Sequence, residues 1–140
     1  MSHHCRSLIL HCIDFRFGSA IKEYLETNQL RNNCDIVSIA GAAKNIAAPA
    51  KDADAELVLR QIEISKRLHE IKGVILMNHT DCGAYGGRKA FSSDEEERAR
   101  HLDDMAKAAD IIRAAHPDIT IKSVLAKIDD AGTITFEPIS

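Results

Sequence analysis

The fold of this chain is decided by the stretch Val74-Ile-Leu-Met-Asn-His79-Thr-Asp-Cys82-Gly-Ala-Tyr-Gly-Gly87, in which a short apolar run leads into a polar, glycine-rich loop. An apolar run of this length, bounded by turn-forming residues, predicts a buried strand. In an open α/β sheet, ligands bind at the carboxyl ends of the strands. We therefore expect His79 and Cys82 at one edge of the sheet, close enough together to hold a single metal ion.

A second stretch with the same layout lies far upstream, Leu8-Ile-Leu-His-Cys12-Ile-Asp14-Phe-Arg16. Its apolar run also predicts a strand, which ends in Cys12 and is followed by Asp14 and Arg16 at alternate positions. Zinc prefers thiolate and imidazole ligands in tetrahedral geometry. Cys12, together with the histidine and the cysteine of the first stretch, therefore predicts a zinc site between two strand ends.

The sequence leaves open what occupies the fourth position of this site. A structural zinc site is closed by four protein ligands, whereas a catalytic one keeps a place for water. In an extended chain, residues two apart point the same way, so Asp14 can reach the metal; alternatively, it can pair with Arg16. Because two thiolates neutralise the metal's charge, we expect bound water to have a pKa above the ~7 of three-histidine sites. The open form is then expected to be active at alkaline pH.

The composition of the 140 residues fits one domain, 1–140, with an aliphatic core: 45% of residues are apolar and only 4% aromatic. The net charge of -3 gives no basic face for nucleic acid and no polybasic membrane anchor. No apolar run approaches the ~20 residues that span a bilayer. The polar N-terminus lacks a signal-peptide core. We expect a cytoplasmic protein, in which reduced cysteines more often serve metal binding or catalysis than disulfides.

Apolar periodicity and turn signals predict the order strand, helix, strand, helix, strand, helix, strand, strand. The strands are expected at residues 6–12, 34–40, 74–78, 119–128 and 133–137, and the first two helices at 17–30 and 53–70. This alternation predicts an α/β fold, with a mostly parallel sheet of four strands, one antiparallel edge strand and helices on both faces.

Two of the predicted helices carry further information. The helix at 53–70 is apolar on more than one side, so either another helix or a second subunit is expected to cover it. The third helix is expected to begin at Ser92 or Ser93, with the acidic run 94–97 at the positive end of its dipole. Its expected buried face consists of Ala99, Leu102, Ala106, Ala109 and Ile112.

Two motifs together resemble the signature of the β-class carbonic anhydrases: Cys12-x-Asp14-x-Arg16 and, far downstream, His79-x-x-Cys82. The resemblance extends over about residues 8–136. It implies a zinc ion held by the two cysteines and the histidine, with the Asp14–Arg16 pair gating access. It also implies reversible hydration of carbon dioxide to bicarbonate by zinc hydroxide, and a homodimer or dimer of dimers with the active site near the subunit interface.

The sequence departs from the family's pattern beside these motifs. Phe15 stands where the family usually has serine, and the family's Arg-Asn-Ala-Gly-Asn loop appears as Ser38-Ile-Ala-Gly-Ala42. Two alternatives therefore stay open. A site permanently closed by Asp14 would make the chain a catalytically silent zinc-binding module. Surroundings made more apolar by Phe15 and Ile39 would suit carbonyl sulfide or carbon disulfide as the substrate.

A third alternative uses the Cys82-x5-Arg88 loop, which lies between a predicted strand and a predicted helix. Such a loop can bind an oxyanion and present a thiolate nucleophile, as in phosphatases and sulfurtransferases. This interpretation leaves Cys12 and His79 without a role.

The remaining reactive side chains are expected to be structural. Cys5 and Cys34 are predicted to pack as small hydrophobes. His11 is expected to point away from the metal, and Asp81 to bond nearby backbone in a turn. The histidines at positions 3–4 are expected in a disordered end.

Overall fold

The computed structural model describes residues 3–139, which form a five-stranded sheet in the order β2-β1-β3-β4-β5. The strands are β1 (Ser7–His11), β2 (Cys34–Ser38), β3 (Gly73–His79), β4 (Thr120–Ile128) and β5 (Ile134–Pro138). The first four are parallel, and β5 pairs antiparallel with β4 at the edge. The predicted α/β fold with one antiparallel edge strand is confirmed.

Helices cover both faces of the sheet, because both faces of its central strands are apolar. The helices are α1 (Gly18–Thr27), α2 (Lys44–Ala47), α3 (Asp52–His69) and α4 (Asp94–Ala115). Helix α1 packs on one face, over Ile9, Ile75 and Met77. The other three pack on the opposite face, over Leu10 and Leu76 among others. None of the helices within residues 3–139 combines the length and apolar character needed to cross a membrane.

Strand register brings the two chemical motifs together. In the parallel pairing of β1 with β3, His11 lies opposite Met77. Cys12 directly follows β1, and His79 is the last residue of β3. Both residues therefore lie at the carboxyl edge of the sheet, on neighbouring strands, where ligands bind in folds of this kind.

Two elements end at least two residues earlier than predicted. The first helix ends at Thr27, and the chain then turns through Gln29 and Asn32, whose φ angles of 57° and 53° are incompatible with a continuing helix. The second strand ends at Ser38, after which a turn leads to Gly41.

Helix α3 has the uncovered apolar side that its sequence predicted. It buries Val58 and Ile62 completely against the sheet. Leu57 and Leu68, spaced about three turns apart on one face, remain 44% and 45% exposed. No element among residues 3–139 covers this second stripe.

The buried face of α4 differs from the predicted one. Ala109 and Ile112 are buried as expected, whereas Ala99 and Ala106 are exposed. The helix instead buries three polar side chains, Glu97, His101 and Asp104, alongside Met105 and Ala108. The prediction failed because it assigned the buried face to apolar residues alone.

Candidate metal centre

The side chains of Cys12, His79 and Cys82 converge at the carboxyl edge of the sheet, and all three are buried. Their ligand atoms all lie within 4.8 Å of one another, and the two sulfur atoms are 4.0 Å apart. Tetrahedral zinc, with bonds of ~2.0–2.3 Å, separates its ligand atoms by roughly 3.3–3.8 Å. The cluster is thus close to the size that a zinc ion requires.

Main-chain contacts determine which nitrogen of His79 is available. Its Nδ1 lies 2.6 Å from the carbonyl oxygen of Thr80 and must donate to it, because a carbonyl only accepts. The Nε2 atom therefore keeps its lone pair. It is buried and has no hydrogen-bond partner among the residues described. A buried polar atom without a partner is rare in folded proteins, and a metal ion would satisfy this one.

The two cysteines influence each other's ionisation. A hydrogen bond from the Cys82 thiol lowers the pKa of Cys12 well below its ordinary value, and the same contact, together with burial, raises the pKa of Cys82. Burial and this contact therefore favour a single thiolate at the site and disfavour a second. A divalent cation between the sulfur atoms would stabilise both thiolates.

Asp14 lies beside this cluster but is paired with Arg16. Its carboxylate accepts hydrogen bonds from Arg16 Nε at 3.0 Å and Nη2 at 2.7 Å, and from the Arg16 backbone N–H at 2.9 Å. These hydrogen bonds hold the pKa of Asp14 below its usual range. Its Oδ2 atom is 3.7 Å from Nε2 of His79. Of the two arrangements that the sequence left open, the structure has the Asp14–Arg16 pair.

A second carboxylate, which the sequence did not assign to Arg16, also holds this guanidinium. Nη1 donates to Asp81 Oδ2 and Nη2 to the Asp81 carbonyl, both at 3.0 Å. Asp81 has a φ of 56°, and its N–H donates to the buried carboxylate of Glu97 at 2.7 Å. Its Oδ1 accepts from the N–H of Arg88, which confirms the predicted turn contact. These contacts could not be predicted, because Arg16 and Asp81 are far apart in the chain.

A buried polar network lies next to His79 and is centred on Asn78. Its Oδ1 accepts from the N–H of Ala43 at 3.0 Å, and its Nδ2 lies 3.0 Å from the Tyr85 hydroxyl and 3.1 Å from His101 Nδ1. The Tyr85 hydroxyl donates in turn to Asp104 at 2.7 Å. The polar face of α4 is buried because it completes this network.

The residues that depart from the family's pattern do not all line the cluster. Phe15 is 90% exposed, and Ile39 packs against the core on the sheet face that α2, α3 and α4 cover. The more apolar surroundings expected from these two residues are therefore not found at the cluster. Gly41, at a φ of 83°, turns its N–H toward Cys12, which helps to lower the pKa of that thiol.

Two further predictions concern residues beside the site. His11 Nδ1 bonds the Cys12 carbonyl at 2.8 Å and lies outside the ligand cluster, as expected. Arg88 donates to the Ile128 carbonyl and to Asp130, so its guanidinium is directed to the end of β4. This arrangement does not favour the thiolate-loop alternative.

Comparison by sequence relates the chain to one protein family. The profile of a family described as "Putative carbonic anhydrase" matches residues 2–134. An uncharacterized protein of Rickettsia conorii is 29% identical over 126 residues, covering 88% of this chain and 68% of that protein. A protein of Rickettsia bellii is 28% identical over 126 residues, covering 88% and 77% of the two chains.

Comparison by structure gives the same fold. A carbonic anhydrase from Streptococcus mutans superposes with a TM-score of 0.60 at 18% identity, covering 97% of this chain and 84% of that one. The β-carbonic anhydrase CcaA gives a TM-score of 0.54 at 13% identity, covering 100% and 85%. The β-carbonic anhydrase CafA of Aspergillus fumigatus gives 0.50 at 16% identity, covering 96% and 76%.

Proposed function

This chain belongs to that carbonic anhydrase family, as a divergent β-carbonic-anhydrase-like member, and from this premise we propose that it catalyses the reversible hydration of carbon dioxide to bicarbonate. Zinc would be bound by Cys12, His79 and Cys82. The observation that carries the proposal is the buried Nε2 atom of His79, which has no hydrogen-bond partner within residues 3–139 and lies in a cluster of zinc-site size with two cysteine sulfurs.

The residues around the cluster have separate roles in this proposal. Zinc held there would activate a water molecule for attack on carbon dioxide. Arg16 pairs with the Asp14 carboxylate, which lies outside the three-ligand cluster and so leaves the fourth position for water. Oδ2 of Asp14 lies 3.7 Å from Nε2 of His79, close enough to accept a hydrogen bond from that water and fix its orientation.

Asp81 is a second carboxylate partner for Arg16, and it allows two arrangements of the Asp14–Arg16 pair. If Asp14 moved onto the metal, Arg16 would lose its charge-assisted hydrogen bonds to that carboxylate. It would keep those to Asp81, whose position is fixed by Glu97. Because the guanidinium is never left without a carboxylate, the two states can differ by a small free energy. This supports a gate that opens and closes rather than a permanently closed site.

We also propose that the protein is a homodimer or a dimer of dimers. Five large apolar side chains are more than 40% exposed in the single chain: Ile13, Phe15, Ile36, Leu57 and Leu68. Two of them flank Asp14, and two form the uncovered stripe of α3. We infer that these side chains contribute to an interaction site, because exposed apolar side chains that form a contiguous patch mark such sites. A second copy of the chain covering it would also exclude water from the entrance to the metal site.

Metal content and carbon dioxide hydration, measured on the same samples, test the proposed activity. After dialysis against a weak chelator, we expect about one zinc per chain and hydration that increases between about pH 7 and 9. Cys82→Ser should lose both the metal and the activity. Cys34→Ser is the matched control, because Cys34 is half-buried and outside the cluster, and it should retain both.

Two results would contradict the proposal in different ways. A wild-type protein without metal would exclude the zinc site. Tightly bound zinc without hydration at any pH in this range would instead indicate the catalytically silent module.

A further inference from the structure

A second group of metal-ligating side chains lies at the opposite edge of the sheet, where the parallel strands begin. Cys5 precedes β1, Asp35 is the second residue of β2, and His69 is the last residue of α3. One ligand atom from each lies within 4.8 Å of the other two, and all three residues are half-buried. This cluster is separate from the candidate zinc site, which lies at the carboxyl edge.

Existing hydrogen bonds hold the three residues in place. The Cys5 N–H donates to the His69 carbonyl at 3.0 Å, which joins two segments that are distant in sequence. The Asp35 carboxylate accepts from Ser65 Oγ at 2.5 Å and lies 2.6 Å from His69 Nδ1. The site is thus largely formed before any ion binds, and little conformational entropy remains to be lost on binding.

We propose that Cys5, Asp35 and His69 form a second metal site, which takes a divalent transition-metal ion of the zinc type. Thiolate and imidazole ligands select such ions over magnesium and calcium, which prefer oxygen ligands. The thiolate and the carboxylate together neutralise the charge of a divalent ion. Binding releases the thiol proton of Cys5 and replaces the hydrogen bond between His69 and Asp35.

His3 of the N-terminal segment lies next to this cluster, outside the three-ligand set. The expectation of a disordered end is wrong for His3, whose ring packs edge-on against that of His69, with centroids 4.7 Å apart. His3 also lines the same open pocket as Cys5 and Asp35. A bound ion would link the N-terminal segment, the edge strand β2 and the end of α3.

The second site is expected to bind more weakly than the first. The side chains of His69 and Asp35 are 29% and 30% exposed, whereas the three ligands of the candidate zinc site are buried. Solvent can therefore reach the second ion, and a chelator can remove it first. The two sites can be measured separately for this reason.

Titration of metal-free full-length protein with cobalt(II) tests the proposal, using the thiolate-to-cobalt absorption as the readout. We expect wild type to bind about two equivalents, Cys82→Ser to retain the weaker one, and Cys5→Ala to retain only the tighter one. Cys34→Ala is the matched control: this cysteine lines the same pocket but lies outside the ligand cluster, so both equivalents should remain.

The proposal is overturned if wild type binds a single equivalent, or if Cys5→Ala and Cys34→Ala bind as wild type does. Equal loss of the weaker equivalent in both variants would also overturn the assigned ligand set. Asp35→Asn provides a second variant that keeps every cysteine, and it should weaken only the second equivalent. If the proposed enzymatic function is wrong, the tighter cobalt equivalent or carbon dioxide hydration will be missing. Neither of these depends on Cys5.

Discussion

Acid is expected to destabilise this protein through one buried histidine of α4, His101, which is 0% exposed. Asn78 determines its protonation state. Because Asn78 Oδ1 accepts from the Ala43 N–H, its Nδ2 group faces His101 Nδ1, which must therefore accept. The single ring proton is on Nε2, which has no partner among the described residues. A second proton on Nδ1 would point at the amide hydrogen of Asn78.

The size of the effect follows from the pKa of this histidine. Burial lowers the pKa of His101 from 6.5 to about 4. Between these values the unfolded chain binds a proton that the folded chain does not, so the free energy of unfolding decreases as the pH falls through this window. At 1.36 kcal/mol per pKa unit, the full loss is about 3 kcal/mol. This is a large part of the ~5–15 kcal/mol that stabilises a typical domain.

Urea unfolding, followed by circular dichroism at about pH 7 and pH 4.5, measures this loss. His101→Gln removes the titrating group and keeps a polar side chain, so its stability should fall by about 2–3 kcal/mol less than that of wild type over this interval. His116→Gln, at the end of the same helix, should behave as wild type. Other groups that titrate in this pH range contribute equally to the loss of stability in all three proteins. If His101→Gln loses stability as steeply as wild type, the buried neutral histidine is not the cause.

Three further predictions concern the gate, the apolar stripe and a helix cap. Arg16→Lys keeps the charge but loses the forked pairing with two carboxylates, so carbon dioxide hydration at neutral pH should fall about tenfold or more with zinc retained. Arg98→Lys loses a similar pair with Glu137 at the surface and should leave turnover unchanged. Equal effects of the two variants would contradict the proposed gating role of Arg16. Leu57→Lys should shift the protein to monomers in size-exclusion chromatography with light scattering, whereas Ala99→Lys should not; an unchanged dimer would exclude this interface. Ser93→Ala should lower the free energy of unfolding by about 1 kcal/mol, because the Ser93 hydroxyl accepts from the Glu96 N–H at the start of α4; an unchanged urea midpoint would show that solvent replaces this cap.

The sheet and the ligand cluster could be predicted because the information for both is local. Each strand is a short apolar run with a turn signal at its end, and parallel pairing brings such ends together. Cys12 and His79 directly adjoin their strands, so predicting the strands also placed the two residues. The cap of α4 at Ser93 followed from its sequence for the same reason.

The residues that the sequence did not reveal depend on contacts between distant segments. Glu97 belongs to the acidic run 94–97, which is typical of a solvated helix start. It is nevertheless the one residue of that run that is buried, because its carboxylate accepts a hydrogen bond from the N–H of Asp81. Cys5 and Asp35 carry no motif, and only the pairing of β1 with β2 brings them near each other. Burial of a charged side chain can be inferred only once its partner is known.

The contact between His79 Nδ1 and the Thr80 carbonyl has a consequence for how the site tolerates mutation. In many metal sites a separate side chain orients the ligating histidine, and replacing that side chain weakens metal binding. Here the acceptor is a main-chain group that every amino acid possesses. The Thr80 hydroxyl, which accepts from the N–H of Ile128, serves the sheet instead. Substitutions at position 80 can therefore alter local stability while the tautomer of His79 stays the same.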